Sequence, residues 1–387
     1  MLQRRDFIKQ IALGSLCLGF PSLLSARSMT NKTVILLELS GGNDGLNTVI
    51  PYADPLYYTL RKNIAIPKKK IIPINNHLGF HPSLGGFSKI FQSGDMAILQ
   101  GVGYPDPNRS HFRSIEIWES ASDTDTYLDS GWITDTFLHN RASHPIDGII
   151  MGKHSQGPLF GQGIKTVDIN DPDRFIRRSK HLKNPHANPT QHNHALTHLL
   201  NVQREINTSR ELFSKKLIPS EKFSDEGFTK DRFSKELYQA ARVIVSDLGI
   251  PVIKVSLGGF DTHSYQLNHQ AKLLEQLDIG LSQLRKTLKQ HGKWEDTLIL
   301  TYGEFGRRVA ENASRGTDHG KANVHFALGG KVKGGIYGKH PRLDDLDNGD
   351  LRYSMDFRSI DKTIVEDWWG YKTTDRLRAF KKVAYLR

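Results

Sequence analysis

Five segments of this chain carry residue types able to do chemistry, four of them beside glycines. They are Ser40-Gly41-Gly42-Asn43-Asp44-Gly45-Leu46-Asn47, Asn108-Arg109-Ser110-His111-Phe112-Arg113, Gly258-Gly259-Phe260-Asp261-Thr262-His263, Gly303-Glu304-Phe305-Gly306-Arg307-Arg308 and Thr317-Asp318-His319-Gly320. Carboxylates and imidazoles without thiolates suit Zn, Mn or Fe, and Mg or Ca less once histidine takes part. Asp261 and His263 are two residues apart in a stretch expected to be extended, so both side chains can face the same way. Glycines allow tight turns and close approach of backbone to an ion. Ser110 precedes a helical pattern (Ile115, Trp118, Ala121) and is expected near a helix N-terminus, where free N–H groups favour an anion. A nearby metal would lower the pKa of its hydroxyl. Plainer roles stay open for each: a turn for Asp44, a helix cap for Ser110, a hydrogen-bonded core residue for His263, an arginine partner for Glu304. Coincidence of the segments is what points to a site.

The elements that would position these residues are legible as apolar runs. Val34–Leu39, Met96–Val102, Val252–Ser256 and Leu298–Tyr302 are continuous rather than alternating, which predicts buried strands of a parallel sheet. Between the last two, Leu267, Ala271, Leu274, Leu277, Leu281, Leu284 and Leu288 form one helical stripe. Strand, helix, strand predicts a βαβ unit and the α/β class. Ligands of open α/β sheets sit beyond the carboxyl ends of the strands, and four of the five segments follow directly on predicted strands; His319 joins them from the fifth. Residues 177–235 read differently: polar, with Pro185 and Pro189 and five histidines, then a helix carrying Leu196, Leu199, Leu200, Val202 and Ile206 on one side. They are expected to be an insertion or cap on a single domain spanning 27–387. His194 and His198 would share a helix face, an alternative metal site that an exposed polar helix explains as well.

The chain has 387 residues, of which 53 basic and 41 acidic give a formal charge of +12. Residues 1–26 read as an export signal: Arg4-Arg5-Asp6-Phe7-Ile8-Lys9, an apolar run from Ile11 to Leu18, then Pro21 and Ser25-Ala26. The Arg pair with Phe7 and Lys9 matches the twin-arginine pattern, so the export machinery for folded proteins is an expected partner and the periplasm or another exported location the expected address. Cys17 is the only cysteine and lies in this leader, which excludes disulfides and thiolate chemistry from the processed form. Its loss takes away three basic and one acidic side chain, leaving 50 against 40. That balance favours an anionic small-molecule or envelope substrate; the basic residues are scattered and the address is extracytoplasmic, which argues against nucleic acid. No stretch approaches the ~20 apolar residues a bilayer span needs.

Together the five segments, with Ala327-Leu328-Gly329-Gly330, resemble a bacterial family of exported proteins, the domain of unknown function numbered fifteen hundred and one, from about residue 33 onward. That family is similar to the alkaline-phosphatase-like superfamily of phosphatases, sulfatases and phosphopentomutases. The resemblance implies an α/β/α sandwich with a mainly parallel central sheet and a polar helical insertion, with one or two divalent metals (Zn first; Mn, Fe or Mg as alternatives) at the strand ends. By position it implies Asp261, His263 and His319 as ligands of one metal, and Glu304 with Asp44 and Ser110 around another. Ser110 would be the nucleophile, with His111 to shuttle a proton and Arg109, Arg113 or Arg307 to steady ester oxygens. The chain departs from the superfamily in three ways. Phe305 stands where two-metal members usually have histidine; Asp261 and His263 are unusually close, with His269 as fallback; and no formylglycine motif surrounds Ser110, which argues against a formylglycine sulfatase. The expected function is an exported metal-dependent hydrolase of phosphate or related esters; the alternative is a non-catalytic binding or assembly protein on a degenerate hydrolase scaffold.

Overall fold

Apolar runs long enough to bury both faces become the centre of a nine-stranded sheet in the computed structural model, which describes residues 32–387 apart from 153, 183–193 and 341. The expected leader at 1–26 lies outside the described residues, as do His186 and His192 and the side chains of His194 and His198. From Asn31 to Arg387 the chain forms one compact unit. Among the described residues no helix is long and apolar enough to cross a membrane.

The strands used below are β1 (Thr33–Ser40), β2 (Met96–Gly103), β3 (Gly148–Met151), β4 (Thr166–Ile169), β5 (Val252–Gly258), β6 (Thr297–Tyr302), β7 (Asn323–Gly329), β8 (Gly335–Tyr337) and β9 (Met355–Asp356). Their order is β8-β2-β7-β6-β1-β5-β3-β4, with β9 also against β2. β1 is flanked in parallel by β5 and β6. Every pairing is parallel except those of β7, which runs antiparallel between β2 and β6. The four predicted strands are all present; β3, β4 and the edge strands are too short to show as apolar runs.

Side chains alternate across the sheet, so β1 sends Ile35, Leu37 and Leu39 into one core and Val34 and Leu36 into the other. The first core is covered by α2 (Gly85–Gln92), α7 (Arg232–Val245) and α8 (Gln266–Gln290). The predicted stripe packs here, with Leu274, Leu277, Leu281, Leu284 and Leu288 fully buried on α8. The second core is covered by α3 (His111–Ser120), α4 (Trp132–His139) and α9 (Phe357–Thr363). Helices on both faces make an α/β/α sandwich. Short α1 (Pro55–Leu60) precedes these on the chain, α5 (Pro172–Ser179) runs into the segment 177–235, and that segment holds α6 (His194–Lys216). Its predicted apolar side is mostly not a packing face: Leu200 is buried, but Leu196, Leu199 and Val202 are exposed, and α6 is anchored further on by Phe213.

Beneath the carboxyl ends of β1, β5 and β6 the second core turns polar. Lys254 is buried and its ammonium donates to Glu38 Oε2 (2.7 Å) and to Ser155 Oγ and O (both 3.1 Å), while Ser155 Oγ also lies 3.2 Å from Glu119 Oε1. The ammonium thus bonds one carboxylate directly and is linked to the other through the Ser155 hydroxyl. Burial raises Glu38, but Lys254 outweighs it and holds that carboxyl below its ordinary value. Glu119 is pushed up to about 7 by burial, against the pull of Lys254 and with the help of Glu38. The folded state therefore keeps a proton that the unfolded chain releases near pH 4.5, so this group makes stability fall as pH rises from about 4.5 through about 7. Glu119→Gln keeps the acceptor and removes the titration. Urea melts should show it matching the parent at pH 4 and exceeding it by up to about 3 kcal/mol at pH 8; equal pH slopes would refute this.

Candidate metal centre

Because all strands but β7 are parallel, their carboxyl ends share one edge, and the reversed β7 begins at that same edge. The five chemically equipped segments therefore meet: 41–47 after β1, 104–113 after β2, 259–263 after β5, 303–308 after β6 and 317–321 just before β7. Backbone pairing of the last two, Gly306 N–H to Lys321 O (2.9 Å) and Arg308 N–H to Asp318 O (2.9 Å), sets His319 beside Phe305. Gly41 and Gly42 have φ of +109° and +74°; a Cβ on Gly41 would lie 2.4 Å from the Asp261 amide and one on Gly42 2.6 Å from the Phe305 ring. Only glycine lets the first loop come this close.

Asp261 is the centre. His263 Nε2 lies 3.0 Å and His319 Nε2 3.2 Å from its Oδ1, and His111 Nε2 lies 3.5 Å from its Oδ2. The two Nε2 atoms of His263 and His319 are 3.0 Å apart. Ligand atoms of His111, Asp261 and His319 all fall within 4.8 Å of one another, a group able to hold a metal ion. In a tetrahedral shell with bonds of ~2.0–2.1 Å, ligand atoms sit roughly 3.3–3.4 Å apart, close to the spacings found here. The outer nitrogen of each ring has its own partner: His111 Nδ1 faces Glu304 Oε1 (2.8 Å), His263 Nδ1 faces Asp318 Oδ1 (3.2 Å) and His319 Nδ1 faces the Arg109 carbonyl (2.9 Å).

Arg307 holds this arrangement from below. Its side chain is buried; Nε donates to Gly42 O (2.7 Å), Nη1 to Thr317 O (2.9 Å), and Nη2 to Phe260 O (3.0 Å), Asp261 Oδ1 (2.7 Å) and Gly41 O. Burial raises the Asp261 carboxyl, but the Arg307 guanidinium and His319 outweigh it and hold it at about 2. Burial is also what pulls the His319 imidazole below its ordinary value, against the opposing effects of the Arg109 carbonyl and Asp261.

Not every expected residue joins. Asp44 is buried outside the cluster: its Oδ2 accepts from Arg61 Nη1 and Gln266 Nε2 (both 2.5 Å), and its Oδ1 caps the Leu46 amide (3.2 Å). Those donors leave it a structural anion, which corrects the expectation of a metal ligand. Arg307 and Arg113 likewise cannot steady a substrate. The former is spent on the loops, and the latter on the carbonyls of Asp123, Thr124 and Thr126. Glu304 faces His111 and the Gly41 amide (2.8 Å) rather than Asp261. His269 is exposed on α8, away from the cluster, so the fallback is not used. Ser110 is exposed at the N-cap of α3, its hydroxyl making no cap bond, between Arg109 and His111. Arg109 pairs with Asp350 and keeps about a third of its side chain open. Sequence reasoning missed His111 as a member of the inner group and Asp318 as the outer partner of His263; the Asp318-His319 dipeptide was visible, but not which neighbour it serves.

No curated protein matches the chain. Among solved structures it is similar to a protein in the alkaline phosphatase superfamily from Vibrio parahaemolyticus, at 11% identity and a TM-score of 0.44, over 97% of this chain and 78% of that one. It is also similar to the PsFucS1 sulfatase from Pseudoalteromonas sp., at 12% identity and a TM-score of 0.41, over 99% and 75%. A third is the C-terminal periplasmic domain of EcEptC from Escherichia coli in complex with Zn, at 10% identity and 0.37, over 77% and 72%. Likeness this loose carries no conclusion about activity. The family of unknown function DUF1501 has a model that matches residues 178–359, a span holding Asp261, His263, Glu304 and His319 but ending short of Asp44 and Ser110 on the N-terminal side. Over that span the chain carries the sequence pattern of DUF1501, the family its motifs resemble.

Proposed function

We propose that this protein is an exported, metal-dependent hydrolase of phosphate or related esters with Ser110 as its nucleophile. The observation that carries the reading is the contact between His263 and His319, whose Nε2 atoms are 3.0 Å apart. Each ring turns its Nδ1 to an acceptor, so each places its proton there. The two Nε2 atoms then crowd each other beside a carboxylate, in a contact that one N–H at most can bridge. A cation shared by them with Asp261 and His111 relieves that conflict. Imidazole nitrogens with one carboxylate and no thiolate favour Zn, then Mn or Fe, and Mg least.

A bound ion of this kind polarises an ester oxygen and eases ionisation of a neighbouring hydroxyl. Ser110 is open to solvent at the start of α3, where helix N–H groups favour an anion. Its Oγ would bond to phosphorus as the P–O bond to the leaving alcohol breaks. The serine proton passes to solvent and the alcohol takes one from water; water then cleaves the seryl ester. Arg109, with its open edge, steadies the non-bridging oxygens. The net basic charge suits an anionic substrate, and the leader pattern suits twin-arginine export.

Elemental analysis of the folded, leaderless protein, paired with chromogenic phosphomonoesters and phosphodiesters, tests this. Bound metal and turnover are expected in the parent. Ser110→Ala should abolish turnover with metal content intact; unchanged turnover would remove the nucleophile. Metal-free protein inert on every ester would instead favour the binding protein on a hydrolase scaffold.

A further inference from the structure

We propose that Glu304 is a positioning carboxylate that aims His111 at the centre, not a ligand, and that the centre holds one ion. The inference rests on the metal reading above and deepens it. Glu304 Oε1 is doubly engaged, accepting the Gly41 N–H (2.8 Å) and facing His111 Nδ1 (2.8 Å). Its main-chain oxygen also accepts the Ser114 hydroxyl. Ser114 is three residues beyond His111 and so on the same side of α3. One residue thus grips the helix at two points. It sets both the position of the His111 ring and the nitrogen that carries its proton.

The other two rings follow the same plan, with an acceptor outside and Nε2 inside. Such outer partners orient metal-binding imidazoles and raise their basicity. Phe305, the neighbour of Glu304, offers no donor; its ring packs 4.4 Å from that of His319 and 5.0 Å from that of His111, fixing both planes. A second ion would need Glu304 Oε2, which is buried without a hydrogen-bond partner, together with further donors. Asp44, the acid expected beside it, is spent on Arg61 and Gln266. One carboxylate oxygen does not make a second site.

Zinc titration against a competing chelator, with elemental analysis, tests both halves, using the leaderless chain. The parent should bind one ion. Glu304→Ala should still bind one, about 10–100-fold more weakly, and Glu304→Gln, which keeps an acceptor for His111, should recover most of that loss. In Glu304→Ala the nitrogen NMR signals of His111 should also lose the signature of a fixed Nδ1–H tautomer. The Glu304→Ala/His111→Ala pair should bind no worse than His111→Ala alone, because one acts through the other. Two ions in the parent with one lost in Glu304→Ala, or additive losses in the pair, would overturn the proposal while sparing the metal centre. A parent that binds no zinc would overturn both.

Discussion

Replacing Arg307 by alanine should lower the unfolding free energy by about 3–5 kcal/mol, chiefly because the loop carbonyls it serves lose a buried donor at about 1–3 kcal/mol each, and weaken metal binding as well. The guanidinium spends every nitrogen on the protein: four carbonyls from three loops and the Asp261 carboxylate. Without it those carbonyls lose their donor, and Asp261 loses the partner that fixes its orientation. A metal-affinity loss of about 10–100-fold is expected on top of the stability loss, as for other outer partners of a ligand. Lysine restores the charge but not the planar fork, so Arg307→Lys should recover only part of either loss. Urea melts and chelator competition on the same samples separate the two effects. Full recovery by lysine would mean that charge alone matters and that the fork is idle.

Asp44→Ala should be nearly as damaging to the fold and harmless to the centre. Arg61 is completely buried, and besides Asp44 it donates to the carbonyls of Val309 (2.8 Å) and Arg308 (3.0 Å) and to Asn47 (3.1 Å). Removing the carboxylate strands the guanidinium, again at about 3–5 kcal/mol, and frees the amide of Gln266 at the start of α8. Denaturant melts should show the loss, while metal content per folded chain stays at the parent level. Loss of metal without loss of stability would restore Asp44 as a ligand.

The contrast between these two residues shows what could be read from the chain. Uninterrupted apolar runs specify β1, β2, β5 and β6 because a strand covered on both faces has no reason to alternate. From those strand ends the meeting of Ser110, Asp261, Glu304 and the imidazoles follows by topology. Roles within the meeting do not. Asp44 and Asp261 look alike as acids beside glycines, and only the fold brings Arg61 to one and three imidazoles to the other. His111 and Glu304 exchange their expected places, ring inside and carboxylate outside, because pairing of the 303–308 and 318–321 loops decides which side chain is nearest Asp261. The reversal of β7 was also hidden, since direction leaves no trace in hydrophobicity; yet it is what delivers His319 to the correct edge.

Strand β1 has a place in the sheet that bears on how the protein is made. It emerges first from the ribosome among the strands described, but both its neighbours, β5 and β6, begin roughly 210 and 260 residues later. At a synthesis rate of ~5–20 residues per second, the apolar segment Thr33–Ser40 waits on the order of 10–50 s with both edges open. During that interval it is a target for holdase chaperones and for wrong strand partners. A translocation route that accepts only finished, folded protein would suit a chain whose earliest strand waits more than 200 residues for both its neighbours.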